Sequence, residues 1–296
     1  SNLGFDLWPG PAVMPIAAGC FQCKGAEKKL NWLLTRVVPD ARRCIVFFPG
    51  DISDFANAEA QCHYSLEALL WVLAMKFPED TVVLVKPRMM VEFFAVYVNF
   101  MLVDGTGNPR PRNRTSACSM LMEEDASMCP QAAAHLEELL HSLEAQLSQT
   151  LPTKLVLVGF SKGAAVLNAL LCESDAVNLW RRCEAIHFID AGLTVPGVFP
   201  ASQEDLGKLV NQLPEGFVLW LHFTPRQVED EERPFVASEA IAFAERCKAA
   251  GVNVQRCDYF RGQPPSLDMH FDCLRSFKTS LADEDGECHA GFFRTW

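Results

Sequence analysis

Leu155-Val156-Leu157-Val158-Gly159-Phe160-Ser161-Lys162-Gly163 decides the fold of this chain. Four branched apolar residues in a row have the length and character of a buried strand. Gly159 to Gly163 then match G-x-S-x-G, and Ala164-Ala165-Val166-Leu167-Asn168-Ala169-Leu170-Leu171 continues as a helix. Strand, sharp turn and helix form the context in which this pattern becomes a nucleophile elbow, with the serine hydroxyl pushed out over the sheet edge. Gly159 and Gly163 fit that reading, because a side chain at either place would hold strand and helix apart. Without the context, a serine at such a turn is as well explained as a helix cap.

Outward from this turn, apolar runs alternate with helical spacings. Cys44–Phe48 reads as a buried strand ending in Pro49-Gly50-Asp51, and Thr81–Val85 as another, stopped by Lys86-Pro87. Ser65–Phe77 and Ala132–Leu147 have helical periodicity. Beyond the elbow helix, Ala185–Ile189, Phe217–Phe223 and Val252–Phe260 read as strands. Ser238–Ala250 reads as a helix with Gly251 at its C′ position, and Phe271–Leu281 as a last helix. Lys29–Val38 fits a strand or a short helix. Such alternation predicts one α/β domain over residues 1–296, with a mostly parallel central sheet and helices on both faces. Residues 1–43 read as an irregular lead-in, 104–130 as a surface excursion without a period, and 282–296 as a tail.

Composition narrows the function. The chain of 296 residues is 49% hydrophobic with a net charge of −11, which argues against nucleic acid or an anionic membrane as its main partner. Arg110, Arg112 and Arg114 form a local basic group that reads as a solvated loop. The most lipid-like stretch, residues 91–103, carries Glu92 and Asn99 and falls short of the about 20 apolar residues of a spanning helix. It is therefore expected to be a core or pocket element of a soluble protein. Most of the 12 cysteines lie inside apolar runs, as Cys44 and Cys172 do. There they act as small hydrophobes, which points to an intracellular, reducing compartment. Cys20-Phe21-Gln22-Cys23 is a lone C-x-x-C with no second pair at zinc spacing, so neither a metal nor another cofactor is expected. Ser1-Asn2 looks like a remnant of tag cleavage.

A serine hydroxyl needs a base. On sheets of this type the partners follow in the order serine, acid, histidine, which leaves His187, His222, His270 and His289. His187 and His222 fall within strands and read as core or sheet-face residues, and His289 lies in the acidic tail. His270, in the loop after the last strand, is the expected base, because catalytic groups collect at the carboxyl ends of the strands. The acid is Asp190, at the end of the next strand, or alternatively Asp230, in the following loop. Asp190 ranks first because a strand end gives it a fixed position. The oxyanion hole needs two N–H donors, expected from Asp51 and Lys162. The Asp51 side chain is expected to point away from the oxyanion, and Lys162 to be a surface lysine.

With Gly159–Gly163, Asp190 and His270 in this order, the chain resembles the α/β-hydrolase superfamily over residues 44–280. More narrowly it resembles a eukaryotic family named in humans after a chromosome-2 open reading frame and assigned to mitochondria. The shared-looking segments are Phe48-Pro49-Gly50-Asp51, Gly159–Gly163, Ile189-Asp190-Ala191-Gly192, Thr224-Pro225-Arg226-Gln227-Val228 and Pro265-Ser266-Leu267-Asp268-Met269-His270. The resemblance implies a serine-hydrolase-like fold and a mitochondrial address, and no substrate. The expected activity is hydrolysis of an ester or thioester, on a small-molecule or acyl-bearing substrate; no residue separates this from peptidase action. The alternative is a catalytically silent hydrolase fold that binds a protein partner.

Overall fold

The computed structural model of the chain describes residues 17–55, 64–110, 131–191, 196–197 and 202–280. Ser1-Asn2, the 111–130 part of the excursion with Arg112 and Arg114, Gly192, and the tail with His289 lie outside them.

The apolar run ahead of Ser161 is β7 (Lys154–Phe160), and every residue of it after Lys154 is buried. It lies at the middle of an eight-stranded sheet because it has neighbours on both sides. On one side it pairs in parallel with β3 (Arg43–Phe48), placing Gly159 opposite Phe48. On the other it pairs in parallel with β8 (Cys183–Ile189), where Gly159 faces Phe188. Beyond β3 comes β4 (Thr81–Val85), also parallel. β9 (Val218–Phe223) and β10 (Val254–Asp258) extend the parallel run past β8. Two antiparallel strands, β1 (Ala17–Lys24) and β2 (Leu30–Val37), close the edge next to β4. The resulting order β1-β2-β4-β3-β7-β8-β9-β10 is mostly parallel. A separate two-stranded hairpin is made by β5 (Met89–Val91) and β6 (Phe94–Val96).

The sheet is covered on both faces, which is why its central strands read as unbroken apolar runs and not as alternations. One layer joins Val46, Phe48, Leu155 and Leu157 of the sheet to Leu136, Leu139 and Leu143 of α2 (Ala132–Leu147) and to α3 (Ala164–Leu171). The other joins Ile45, Phe47, Val156 and Val158 to Leu66, Leu69 and Leu73 of α1 (Leu66–Lys76) and to Phe271, Leu274 and Phe277 at the C-terminal end. Ser65 caps α1 by accepting from Ala68 N at 3.2 Å. Further α-helices among the described residues are α4 (Val177–Arg182), α5 (Gln203–Val210), α6 (Pro225–Val228), α7 (Pro234–Ala249) and α8 (Leu267–Ser276). Gly251, with φ at +87°, follows α7 as predicted.

Three expectations are corrected. Residues 1–43 are not wholly irregular: β1 and β2 lie inside them. Ala17, Ala18 and Gly19 give β1 no strong period, and its pairing with β2 supplies the order. Residues 104–110 are not shapeless either: Asp104 Oδ1 accepts from Thr106 N and Asn108 N, and Val103 bridges Pro109. Finally, the 91–103 stretch is core only in part: Ala95, Tyr97, Phe100 and Met101 are buried, whereas Phe93 is 69% accessible.

Burial raises the thiols of Cys44 and Cys247 to about 12 and that of Cys23 to about 11, so these groups stay protonated and pack as hydrophobes.

Candidate active site

Ser161 follows directly on β7 and has φ of +51°, a left-handed conformation that a non-glycine residue adopts at a strained turn. A single 3-10 turn, Ser161–Gly163, leads into α3. Glycine is required around it for contact reasons. A Cβ on Gly163 would stand 2.0 Å from the Phe48 carbonyl oxygen, and one on Gly159 would stand 2.8 Å from Ala164 Cα. A Cβ on Gly50 would come within 2.6 Å of Ser161 Cβ, so the Pro49-Gly50 loop runs directly against the serine. Tyr97 fixes that loop by donating its hydroxyl to Pro49 O at 2.7 Å.

Asp190 ends β8 in a second left-handed conformation, φ +41°, and is 1% exposed. Its backbone N–H donates to His222 O at 2.9 Å, which ties the strand end to β9. Oδ1 accepts from Thr224 N at 3.0 Å and Thr224 Oγ1 at 2.8 Å, leaving Oδ2 directed at His270 Nδ1, 2.5 Å away. This carboxylate faces three donors, and each oxygen has its partner. The His270 ring is 4% exposed and lies on the Phe160 ring at 4.5 Å between centroids, beside the serine. Among the described residues the Ser161 hydroxyl makes no hydrogen bond, and a serine–histidine bond of this kind commonly tightens only with substrate bound.

The sequence places His270 in a loop; the structure places it in the first turn of α8. Ser266 begins the helix by accepting from Met269 N at 3.2 Å. The signal is present, since Ser266 with Asp268 behind it has the form of an N-cap and an acidic first turn. Of the two acids, only Asp190 touches the histidine. Asp230 closes its own loop, accepting from Glu232 N and Arg233 Nε, and its carboxyl is held low chiefly by the bond from Arg233.

His187 and His222 are core residues, 1% and 0% exposed, stacked with Trp220. Tyr259 Oη accepts from Lys278 N at 3.0 Å and lies 2.9 Å from His222 Nδ1. His222 Nε2 is hydrogen-bonded to His187 Nδ1 at 3.1 Å. Both rings are neutral: burial lowers His187 to about 3 and His222 well below its usual value.

Lys162 is not a surface lysine. It is 5% exposed, its buried Nζ makes no hydrogen bond, and it lies 3.8 Å from Asp51 Oδ1 and 5.5 Å from the Phe94 ring centre. Burial lowers the Lys162 ammonium and raises the Asp51 carboxyl, and each charge partly offsets the other's shift. The Asp51 carboxylate turns to the β5–β6 hairpin, accepting from Ala95 N at 2.7 Å. The sequence does not mark Thr224 and Tyr97 as the residues that hold the aspartate and the Gly50 loop. Only their tertiary contacts do so.

A serine at a strained strand–helix turn, a buried Asp–His pair whose histidine lies on the residue before that serine, and this sheet order beneath define a protein of the α/β-hydrolase fold. The chain belongs to the C2orf69 family, whose model matches residues 20–153 and 147–253. The zebrafish protein named mitochondrial protein C2orf69 homolog is 28% identical over 82% of this chain and 75% of its own length. The human mitochondrial protein C2orf69 is 23% identical over 79% of this chain and 74% of its own. Among solved structures, brefeldin A esterase is similar with a TM-score of 0.49 and 14% identity, covering 92% of this chain and 75% of its own. The dienelactone hydrolase-like phosphotriesterase P91 has a TM-score of 0.45 and 13% identity, covering 87% and 94%.

Proposed function

We propose that the chain is a serine hydrolase that cleaves an ester or a thioester. The observation that carries this reading is the 2.5 Å contact between buried Asp190 and His270 Nδ1, with the His270 ring on that of Phe160, the residue before the strained Ser161. The carboxylate keeps the proton on Nδ1 and leaves the Nε2 lone pair free to act as base. Ser161 Oγ forms a bond to the acyl carbon as its proton passes to His270 Nε2. The acyl–oxygen or acyl–sulfur bond then breaks, and His270 gives that proton to the departing alcohol or thiol. Water, deprotonated in turn by His270, releases the acid and restores the serine. The N–H groups of Asp51 and Lys162 are the proposed oxyanion donors. Lys162 N–H belongs to the first turn of a helix, where intrahelical acceptors are lacking, and Gly50 lets the Asp51 backbone approach. The chemistry calls for no cofactor. The same reading treats the chain as one domain, since eight strands share one sheet. It also gives the chain the mitochondrial address carried in its relatives' names.

The test is labelling by a fluorophosphonate probe, with Ser161→Ala alongside. Labelling that disappears in the variant supports an activated serine, and wild-type protein that stays unlabelled refutes it.

A further inference from the structure

Ten large apolar side chains are exposed among the described residues, and five of them, Met89, Val91, Phe93, Phe94 and Val98, fall in one short segment. Scattered exposed hydrophobes need no explanation, whereas a contiguous set does. The pairing of the hairpin sorts them. Met89 faces Val96 and Val91 faces Phe94, so these four share one face, on which Val96 is buried and Met89, Val91 and Phe94 are exposed. Met90 and Ala95 share the other and pack into the core. The core-facing side thus holds the hairpin in place while the opposite side shows apolar surface to solvent.

This face is joined to the serine turn. Phe93 O accepts from Ile52 N at 2.7 Å, and Ala95 N donates to Asp51 Oδ1 at 2.7 Å. The Phe94 ring lies 5.5 Å from the Nζ of Lys162, the residue after Ser161. Leu267, 56% exposed, starts the helix that carries His270. Exposed apolar groups therefore adjoin the segments that carry the proposed oxyanion donors and base.

We propose that the β5–β6 hairpin is an acyl-binding platform. The hydrocarbon chain of a medium- or long-chain fatty acyl ester or thioester lies along Met89, Val91 and Phe94, with its carbonyl at Ser161. This names the substrate class of the serine-hydrolase reading and rests on it. An acyl chain suits the face better than a second copy of the protein, because two three-residue strands fall short of the roughly 800 Å² per partner of a stable interface. It also suits the backbone bonds that tie the hairpin to the Asp51-Ile52 loop, since occupancy of the hairpin then bears directly on the oxyanion donors.

The test uses the full chain carrying Ser161→Ala, so that binding is read without turnover, titrated with dansylaminoundecanoate and competed with fatty acids of increasing length. Each buried methylene is expected to strengthen competition roughly fourfold. Adding Phe94→Ser is expected to weaken dansylaminoundecanoate binding tenfold or more. Adding Trp71→Ser, at an exposed apolar residue of α1, is expected to leave it within twofold; circular dichroism checks that each variant is folded. Absence of saturable binding, competition independent of chain length, or binding unchanged by Phe94→Ser overturns the platform. So does a dimer that Phe94→Ser converts to monomer while binding stays the same. Fluorophosphonate labelling of the wild type separates the two readings. Chain-length-dependent binding without labelling leaves the platform standing and removes the hydrolase, and labelling without binding does the reverse.

Discussion

Asp190→Asn is the substitution that most sharply tests the proposed chemistry, because it changes one atom and the surrounding geometry dictates the tautomer that results. Oδ1 of Asp190 accepts from both Thr224 N and Thr224 Oγ1, so the asparagine oxygen must stay on that side. Turning the amide the other way would set an NH₂ against the Thr224 N–H and strand a buried donor, at about 1–3 kcal/mol. The NH₂ therefore faces His270 Nδ1, where the carboxylate oxygen stood at 2.5 Å. An amide NH₂ only donates, so Nδ1 must accept and the ring proton moves to Nε2. That nitrogen then has no lone pair for the Ser161 proton. The expected loss is roughly 10,000-fold in the rate of Ser161 modification, equivalent to about 5 kcal/mol of barrier. The assay is the time course of fluorophosphonate labelling at pH 7.5, with thermal denaturation showing the fold intact. Asp230→Asn, whose carboxylate serves Glu232 and Arg233, should label at the wild-type rate. Labelling of folded Asp190→Asn within tenfold of wild type would refute the proposed acid.

Contacts elsewhere in the molecule set further expectations. Gly163→Ala drives a methyl into the Phe48 carbonyl and should cost about 3 kcal/mol or more, whereas Gly207→Ala, with open space on α5, should stabilise by about 0.5–1 kcal/mol; chemical denaturation measures both. Lys162→Met removes the partner of a buried carboxyl whose pKa is already raised, so Asp51 rises further. A raised carboxyl favours folding at low pH and loses that benefit as pH climbs. The Tm deficit of this variant should thus be larger at pH 7.5 than at pH 4.5, and an equal deficit at both would count against the pair. His187 is buried neutral with its pKa lowered to about 3, so the stability it contributes above pH 6.5 drains away as pH falls toward 3. The drain is about 1.4 kcal/mol per pH unit for the proton it fails to bind. His187→Leu should flatten the stability profile over that window by about one proton.

Much of the fold is legible in the sequence because buried parallel strands need apolar residues on both faces. Thr81–Val85 and Ala132–Leu147 match β4 and α2 at both ends, and Cys44–Phe48 differs from β3 by one residue. β1 escapes a reading by periodicity because small residues carry no period. Pro264-Pro265 hides the Ser266 cap and with it the start of α8, which moves His270 from a loop into a helix. Hydropathy assigns the hairpin to core or pocket because apolar residues usually lie inside, and it does not record which face of a two-stranded ribbon meets solvent.

The strand–Ser161–helix turn follows from local sequence alone, since the glycines and the apolar run that make it are neighbours along the chain. Long-range packing brought Asp190 and not Asp230 to His270, buried Lys162 beneath Phe94 and Asp51, and set the hairpin beside the Gly50-Asp51 loop. The reason is one of range: backbone conformation at a turn is settled by adjacent residues, whereas a carboxylate's partner or a lysine's burial depends on groups that long-range packing brings from distant parts of the chain.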